Sequence, residues 1–401
     1  MDAQVLTLNA GSSSVKFALF PRDAADHALP RALWSGQAEG LGPGLQAQLQ
    51  VRDGSGALRH EAALSGAQAS HQGALAALLD WLRQGTGGAA AQITAVGHRI
   101  VHGGMDFVAP CRLDADALAA LTELTPLAPL HQPHNLAGVQ AAMAAFAGVP
   151  QIACFDTAFH AAQPAVNGRF ALPRALHDAG VRRYGFHGLS YESIVAQLGT
   201  AAPALAQGRV VVAHLGNGAS MCAIAGGRPV ATTMSFSPLD GLSMGTRCGQ
   251  LDAAVVLYLQ RTRGMDADAV EQLLFRQSGL LGMSGLSSDM RTLQASDAPA
   301  AAEAVAYFCE QVVQQLGRLA AALRGLDGVV FTGGIGQNAA DLRARILADS
   351  AWLGIRLDEQ ANRTRGAARI STPDSPVAAW VLPTDEEAVI ARHTARLASA
   401  A

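Results

Sequence analysis

The chain has 401 residues and a formal charge of -3, a length that suggests two domains, each large enough for its own core. That charge balance, without basic clusters, excludes a nucleic-acid surface or a patch for anionic lipid, so any anion must be met locally. Charged residues make up 15% of the chain against about 25% in average domains, a deficit that follows from abundant alanine and glycine.

At the N-terminus, Met1 to Gln4 shows no basic region followed by an apolar stretch, so no signal peptide is expected. The runs Val5 to Leu8 and Val15 to Phe20 flank Gly11, Ser12, Ser13 and Ser14, which predicts a hairpin with a small-residue turn. A period of two sets Val15, Phe17 and Leu19 on one face and Ser14 and Lys16 on the other. Of the 29 basic residues Lys16 is the only lysine, leaving 28 arginines. A lone lysine could survive anywhere, but beside exposed turn amides and hydroxyls an ammonium completes an anion cradle. No Walker pattern is present, so nucleotide phosphates would be held without a P-loop.

Further along, Gly73 to Arg83 reads as a helix. Arg99 follows, between apolar Val96, Ile100 and Val101 and just before Gly103 and Gly104. His98 and His102 are four apart, but no third ligand is apparent and the glycine pair opposes a helix, which favours structural or lining roles over a metal pair. His131 and His134 read as pocket wall. The uncharged run Leu136 to Phe155 is interrupted by Gln140, Gly148, Pro150 and Gln151 and reads as a buried helix and strand, not a membrane span. Asp156 then falls at a strand end, where an active-site carboxylate or a helix-capping aspartate would both fit. His187, flanked by aromatics and glycine, suits a ligand contact or a satisfied core histidine.

In the second half, Val210 to Ile224 repeats the pattern of strand, Gly/Ser turn and strand about 200 residues after the first. Two such hairpins are the layout of a duplicated α/β fold that clasps a nucleotide. Ala300 to Leu326 reads as a helix and Val329 to Thr332 as a strand. The glycine cluster after that strand meets a dinucleotide pattern at Gly334, Gly336 and Ala339, with a helix expected from Ala340 and with Asp358 about 20 residues on. Only about 40 residues follow Asp358, too few for further strand and helix units, so only the weaker reading survives: backbone amides facing a nucleotide. Near the C-terminus, Thr384 to Glu387 reads as a capping box, with Thr384 as N-cap and Glu387 three residues on. Cys111, Cys154, Cys222, Cys248 and Cys309 are odd in number and unpaired in spacing, which fits reduced thiols in a cytoplasm.

The chain resembles the acetate kinase family, within the actin-like (ribonuclease H-like) two-domain phosphotransferases. Ten motifs in order carry the resemblance: Asn9 to Lys16 (NAGSSSVK), Gly97 to Gly104 (GHRIVHGG), Pro129 to Asn135 (PLHQPHN), Phe155 to His160 (FDTAFH) and Arg183 to Gly188 (RYGFHG), then His214 to Gly218 (HLGNG), Pro238 to Arg247 (PLDGLSMGTR), Gly285 to Arg291 (GLSSDMR), Gly334 to Asn338 (GIGQN) and Pro383 to Glu387 (PTDEE). The resemblance implies reversible phosphoryl transfer from ATP to a short carboxylate, acetate or else propionate, with magnesium, or manganese in its place. A homodimer is also implied.

Such a transfer brings two anions together, so cationic clamps and in-line positioning are what the chemistry requires. By resemblance Arg99 binds the acceptor carboxylate, His187 and Arg247 stabilise the phosphoryl group in flight, and Asp156 has an acid/base or positioning role; His131 is expected among the substrate-binding residues, as the better candidate of the two pocket-wall histidines for contacting the phosphoryl group. Lys16, Ser12, Ser14, His214, Leu215, Gly216, Asn217 and Gly218 are expected on the phosphates, and Asp289, Met290, Arg291, Gly334, Ile335, Gly336, Gln337 and Asn338 at the adenosine end. Asn9 and Glu386 are expected at the metal. Domains are expected at 1–155, with the terminal helix 387–401, and at 156–386. Tyr191, where the family more often has histidine, Gln337 and Ala231 to Ser235 depart from its pattern. A non-catalytic actin-like nucleotide switch is the alternative from another class; in it Arg99→Ala and Arg247→Ala would leave the nucleotide response intact.

Overall fold

The two apolar runs that open the chain pair as an antiparallel hairpin, β1 (Gln4–Ala10) and β2 (Ser14–Pro21), with Asn9 opposite Lys16. Val15, Phe17 and Leu19 are buried and Lys16 is exposed, as the period of two predicts. Ala18 and Phe20 on the other face are buried too, because the C-terminal helix Glu386–Ser399 covers them together with Val5 and Ala95. The computed structural model describes residues 3–11, 14–22, 29–41, 46–85, 92–366 and 368–399. Ser12, one of the expected phosphate ligands, lies outside the described residues.

The chain divides into two compact units, Met1–Phe159 with Asp385–Ala401, and His160–Thr384. Asp156 and Glu386, which the expected boundaries assigned to the second domain, fall in the first. The Asp156 N–H donates to the Ile100 carbonyl at the strand end, and Glu386 opens the helix that packs on this unit's sheet.

The first sheet adds β3 (Trp34–Glu39), β4 (Ala47–Asp53), β5 (Leu58–Leu64), β6 (Ile93–Ile100), β7 (Cys111–Arg112) and β8 (Gln151–Phe155), in the order β5-β4-β3-β2-β1-β6-β8-β7. The second contains β9 (Arg209–Leu215), β10 (Ala219–Ala225), β11 (Arg228–Thr232), β12 (Gly328–Thr332), β13 (Ala368–Arg369) and β14 (Ala378–Val381), in the order β11-β10-β9-β12-β14-β13. Each sheet has the same kernel. Three antiparallel strands (β1 to β3, β9 to β11) are joined on the first strand's free edge by two parallel ones (β6 and β8, β12 and β14). The echo in the sequence is therefore a duplicated α/β topology.

Parallel strands covered on both faces read as continuous apolar runs, and β8 and β12 are buried at every position. The uncharged run predicted to be a buried helix and strand is helix Gln132–Ala145 followed by β8. Helix Pro299–Leu323 buries Ala301, Ala304, Phe308, Val312, Leu316, Leu319 and Leu323 at helical spacing. It ends three residues before the expected Leu326 because Arg324 turns left-handed at φ 59°. In the first unit Gly97 lets the C-terminal helix seat on β6: an added Cβ would stand 2.2 Å from Thr394 Oγ1 and 2.6 Å from Ile390 Cγ2.

Candidate active site

Arg99, next to the end of β6, projects from a strand whose other face is packed in the core, so its guanidinium is held at a half-buried position. Asp156, just past the end of β8, grips it side-on: Nε donates to Oδ1 at 3.0 Å and Nη2 to Oδ2 at 2.6 Å. Nη1 donates to Asn9 Oδ1 at 3.3 Å, and Glu386 Oε2 lies 3.7 Å from Nε. Three of the five guanidinium N–H groups are thereby used, and the side chain keeps 21% exposure while Asp156 keeps 2%. Asp156 is thus an arginine partner, not a helix cap.

Two carboxylates share this one guanidinium. Burial pushes Arg99 down, but the facing charges of Asp156 and Glu386 outweigh it and hold the guanidinium above its ordinary range. Burial pushes Glu386 up to about 7, opposed by Arg99 and Lys16 and reinforced by Asp156 and Glu387. A half-buried carboxyl pushed up in this way marks a place short of positive charge. Oxygen donors from Glu386, Asp156 and Asn9 fit a hard divalent cation that keeps part of its water shell. Among the described residues no cluster of three or more His, Cys, Asp or Glu forms an all-protein metal cage.

His98 and His102 are held by structural partners. His98 Nε2 donates to Gln151 Oε1 at 2.7 Å, and His102 Nδ1 accepts from the Gly104 N–H at 2.9 Å. Burial pushes each down to about 4, so both are neutral and turned to different partners. His131 precedes helix Gln132–Ala145 at its N-cap position, and His134 stacks on His71 with ring centroids 5.8 Å apart. Asn135 ties the motif to the sheet, accepting from the Val101 N–H at 2.9 Å and donating to the Ala10 carbonyl at 2.6 Å.

In the second unit the glycine turn between β9 and β10 is the centre of a polar cluster. His187 occupies a left-handed conformation (φ 57°, ψ 25°) at the start of helix Gly188–Ala201, a strain that the surroundings must compensate. Its ring stacks on His214, with centroids 4.2 Å apart and planes 20° apart. His187 Nδ1 lies 2.8 Å from Ser220 Oγ, and His214 Nδ1 lies 2.8 Å from Ser190 Oγ. Space beside the turn is kept open by glycine: a Cβ on Gly218 would stand 3.4 Å from His187 Nε2, and one on Gly216 3.9 Å from His214 Nε2.

Other expected ligands gather at the same sheet edge. Thr332 of β12 pairs with His214 of β9, which sets Gly333 (φ +76°) so tightly on Leu215 that an added Cβ would meet its carbonyl oxygen at 2.6 Å. The Gly334 nitrogen lies 3.9 Å from an added Gly216 Cβ. The glycine cluster is itself a short helix, Gly333–Asn338, and the helix expected from Ala340 follows it as Ala340–Asp349. Within it Gly334 is exposed, Ile335 and Gln337 are half-buried, Gly336 is buried, and Asn338 Nδ2 donates to the Gly334 carbonyl. Arg247 Nη1 donates to the Pro238 carbonyl at 3.1 Å, and its loop is fastened to the turn by the Gly245 N–H, which donates to the Asn217 carbonyl.

Three sequence expectations resolve into helix caps. Asp289 caps Met290–Gln294 through the Arg291 N–H and pairs with the Arg291 guanidinium at 2.7 Å; these contacts hold its carboxyl down at about 2, while Met290 is buried beneath. Asp358, the acidic residue of the dinucleotide pattern, caps Glu359–Arg363 through the Gln360 and Ala361 N–H groups. Asp385, not Thr384, caps the C-terminal helix: its Oδ1 accepts from the Ala388 N–H at 2.9 Å, so the N-cap lies one residue later than expected and, with alanine at N3, the reciprocal half of a capping box is missing. Ser190 and Ser220, which hold the two imidazoles, escaped the sequence reading because a serine beside a glycine turn has no local signature of its long-range partner.

The acetokinase family model matches residues 4–392. The acetate kinase of Rhodopseudomonas palustris is 50% identical over 404 residues, covering 99% of this chain and 99% of that protein. The crystal structure of Porphyromonas gingivalis acetate kinase superposes with a TM-score of 0.88 at 36% identity, covering 98% of this chain and 99% of that one. A propionate kinase from Francisella tularensis superposes with a TM-score of 0.90 at 34% identity, covering 98% of this chain and all of that one (100%). On its motifs, duplicated sheets and full-length similarity, this chain belongs to the acetokinase family.

Proposed function

We propose that the protein catalyses reversible transfer of the ATP γ-phosphoryl group to acetate, giving acetyl phosphate and ADP. The observation that carries this reading is Arg99, whose contacts with Asp156 and Asn9 use three N–H groups and leave two for the carboxylate of the acceptor. Acetate, with a pKa of about 4 to 5, is already ionised at neutral pH, so Asp156 serves by holding Arg99 and not as a base. His131 lines the acceptor side. In the second unit His187 and Arg247 stabilise the phosphoryl oxygens and the turn His214, Leu215, Gly216, Asn217 and Gly218 receives nucleotide phosphate; in the first unit Lys16 and Ser14 offer an ammonium and a hydroxyl to a phosphate. Asp289 to Arg291 and Gly334 to Asn338 bracket the adenosine.

Magnesium, or manganese, would be held by Glu386 and Asn9, whose oxygens suit a hard cation; such an ion would supply neutralisation of phosphate charge. A cytoplasmic setting fits five cysteines of which none is in a disulfide; among the described residues no helix is long and apolar enough to cross a membrane. A homodimer is supported by helix Ala253–Arg263, which buries no residue and exposes Val255, Leu257 and Tyr258.

The test is hydroxamate trapping of the acyl phosphate with Mg-ATP across one- to four-carbon carboxylates; no acetate- or propionate-dependent product rejects the reading. Propionate is the second reading, favoured by the likeness to the Francisella propionate kinase. One methylene is worth about 1 to 3 kcal/mol of discrimination, so competing kcat/KM values separate the two acids.

A further inference from the structure

Ser190 and Tyr191, consecutive on the first turn of helix Gly188–Ala201, each reach one of the two stacked imidazoles. Ser190 holds His214 directly, whereas the Tyr191 hydroxyl lies 2.5 Å from Ser220 Oγ, which in turn lies 2.8 Å from His187 Nδ1. Tyr191 and Ser220 are both fully buried, and the Tyr191 ring packs edge-on against His160 with centroids 5.6 Å apart. The Nε2 edges of both imidazoles turn the other way, over the glycine turn. A neutral imidazole carries one N–H, and its location decides whether Nε2 can donate to a phosphoryl oxygen.

We propose that Tyr191 is a positioning residue which, through Ser220, keeps His187 in the tautomer with its proton on Nε2. The proposal rests on the reading of His187 as a phosphoryl ligand. The direction of the chain follows from acidity. A phenol, with a pKa of about 10, is a better donor and a poorer acceptor than an alcohol, so Tyr191 O–H donates to Ser220 Oγ. The serine proton is then directed at His187 Nδ1, which must accept it and leaves the ring proton on Nε2. Burial raises the Tyr191 phenol well above its ordinary value, so the donor persists at any working pH. Successive hydrogen bonds of one polarity also reinforce each other.

Tyr191→Phe keeps the ring against His160 and removes the oxygen. Its kcat should fall on the order of tenfold, less than the 10²- to 10³-fold cost of deleting a transition-state donor outright. KM for ATP and for acetate should stay within about twofold, the pattern of an interaction made in the transition state only. Nitrogen-15 spectra should show His187 moving from the Nε2–H form to a mixture of tautomers. Ser220→Ala removes the middle of the chain and should reproduce both effects, which keeps the idea testable should the phenylalanine variant fold poorly. Full kcat in folded Tyr191→Phe, or a His187 proton already on Nδ1 in the unmodified protein, overturns the proposal. A His187→Ala variant that retains kcat overturns the phosphoryl-ligand reading itself, whatever the tautomer.

Discussion

Arg99 and its carboxylates show how one side chain can be aimed by charge balance. Asp156 occupies the side edge of the guanidinium at 2.6 and 3.0 Å, so Asp156→Asn removes the charge that orients the fork and leaves Arg99 facing Glu386 alone. A misplacement of about 1 Å costs roughly 10²-fold; the expected result is that loss in kcat/KM for acetate with folding retained, measured by steady-state kinetics beside circular dichroism. Glu386 gives a pH prediction. Its carboxyl binds a proton up to about 7 in the folded chain, against an ordinary 4.5. A cation competes with that proton, so apparent Mg²⁺ affinity should rise as pH increases through about 7, and Glu386→Gln should abolish the inflection. The same shift acts on stability. Between 4.5 and about 7 the folded state holds more protons than the unfolded one, so metal-free stability falls as pH rises through this window, and denaturant titrations at several pH values measure it.

At the scale of elements, hairpin turns and strand ends do the positioning, and two glycines separate packing from function. Gly333 has φ +76° and sits 2.6 Å, at an added Cβ, from the Leu215 carbonyl; Gly333→Ala should destabilise the second unit by more than about 1 kcal/mol, read as a lower melting temperature. Gly218 has ordinary backbone geometry and an added Cβ only touches His187 Nε2 at 3.4 Å. Gly218→Ala should therefore fold normally and raise KM for ATP severalfold. Much of this level was legible in the sequence. Apolar runs on both sides of a small-residue turn specify a hairpin by short-range rules, and both hairpins are present. Helix boundaries were less legible: Arg324 ends its helix by a left-handed turn, and Asp385 takes the cap from Thr384, because the choice depends on which carbonyl and amide the surrounding fold brings within reach.

For the molecule as a whole, one five-strand kernel recurs in an eight-stranded and a six-stranded sheet, each the centre of its own compact unit. The proposed homodimer is tested at helix Ala253–Arg263, which exposes Val255, Leu257 and Tyr258: Tyr258→Glu should shift the sedimentation coefficient of that dimer toward the monomer's while leaving each protomer folded. Length, hairpin repeats, glycine turns and the residues carrying charge, imidazole and hydroxyl groups were determined by the sequence alone, since period, turn chemistry and composition act over a few residues. Only the tertiary structure decided which groups meet. Arg99 and Asp156 are 57 positions apart, and Tyr191 reaches Ser220 across 29. Such pairings depend on strand register and helix seating, where a shift of one residue turns a side chain to the opposite face.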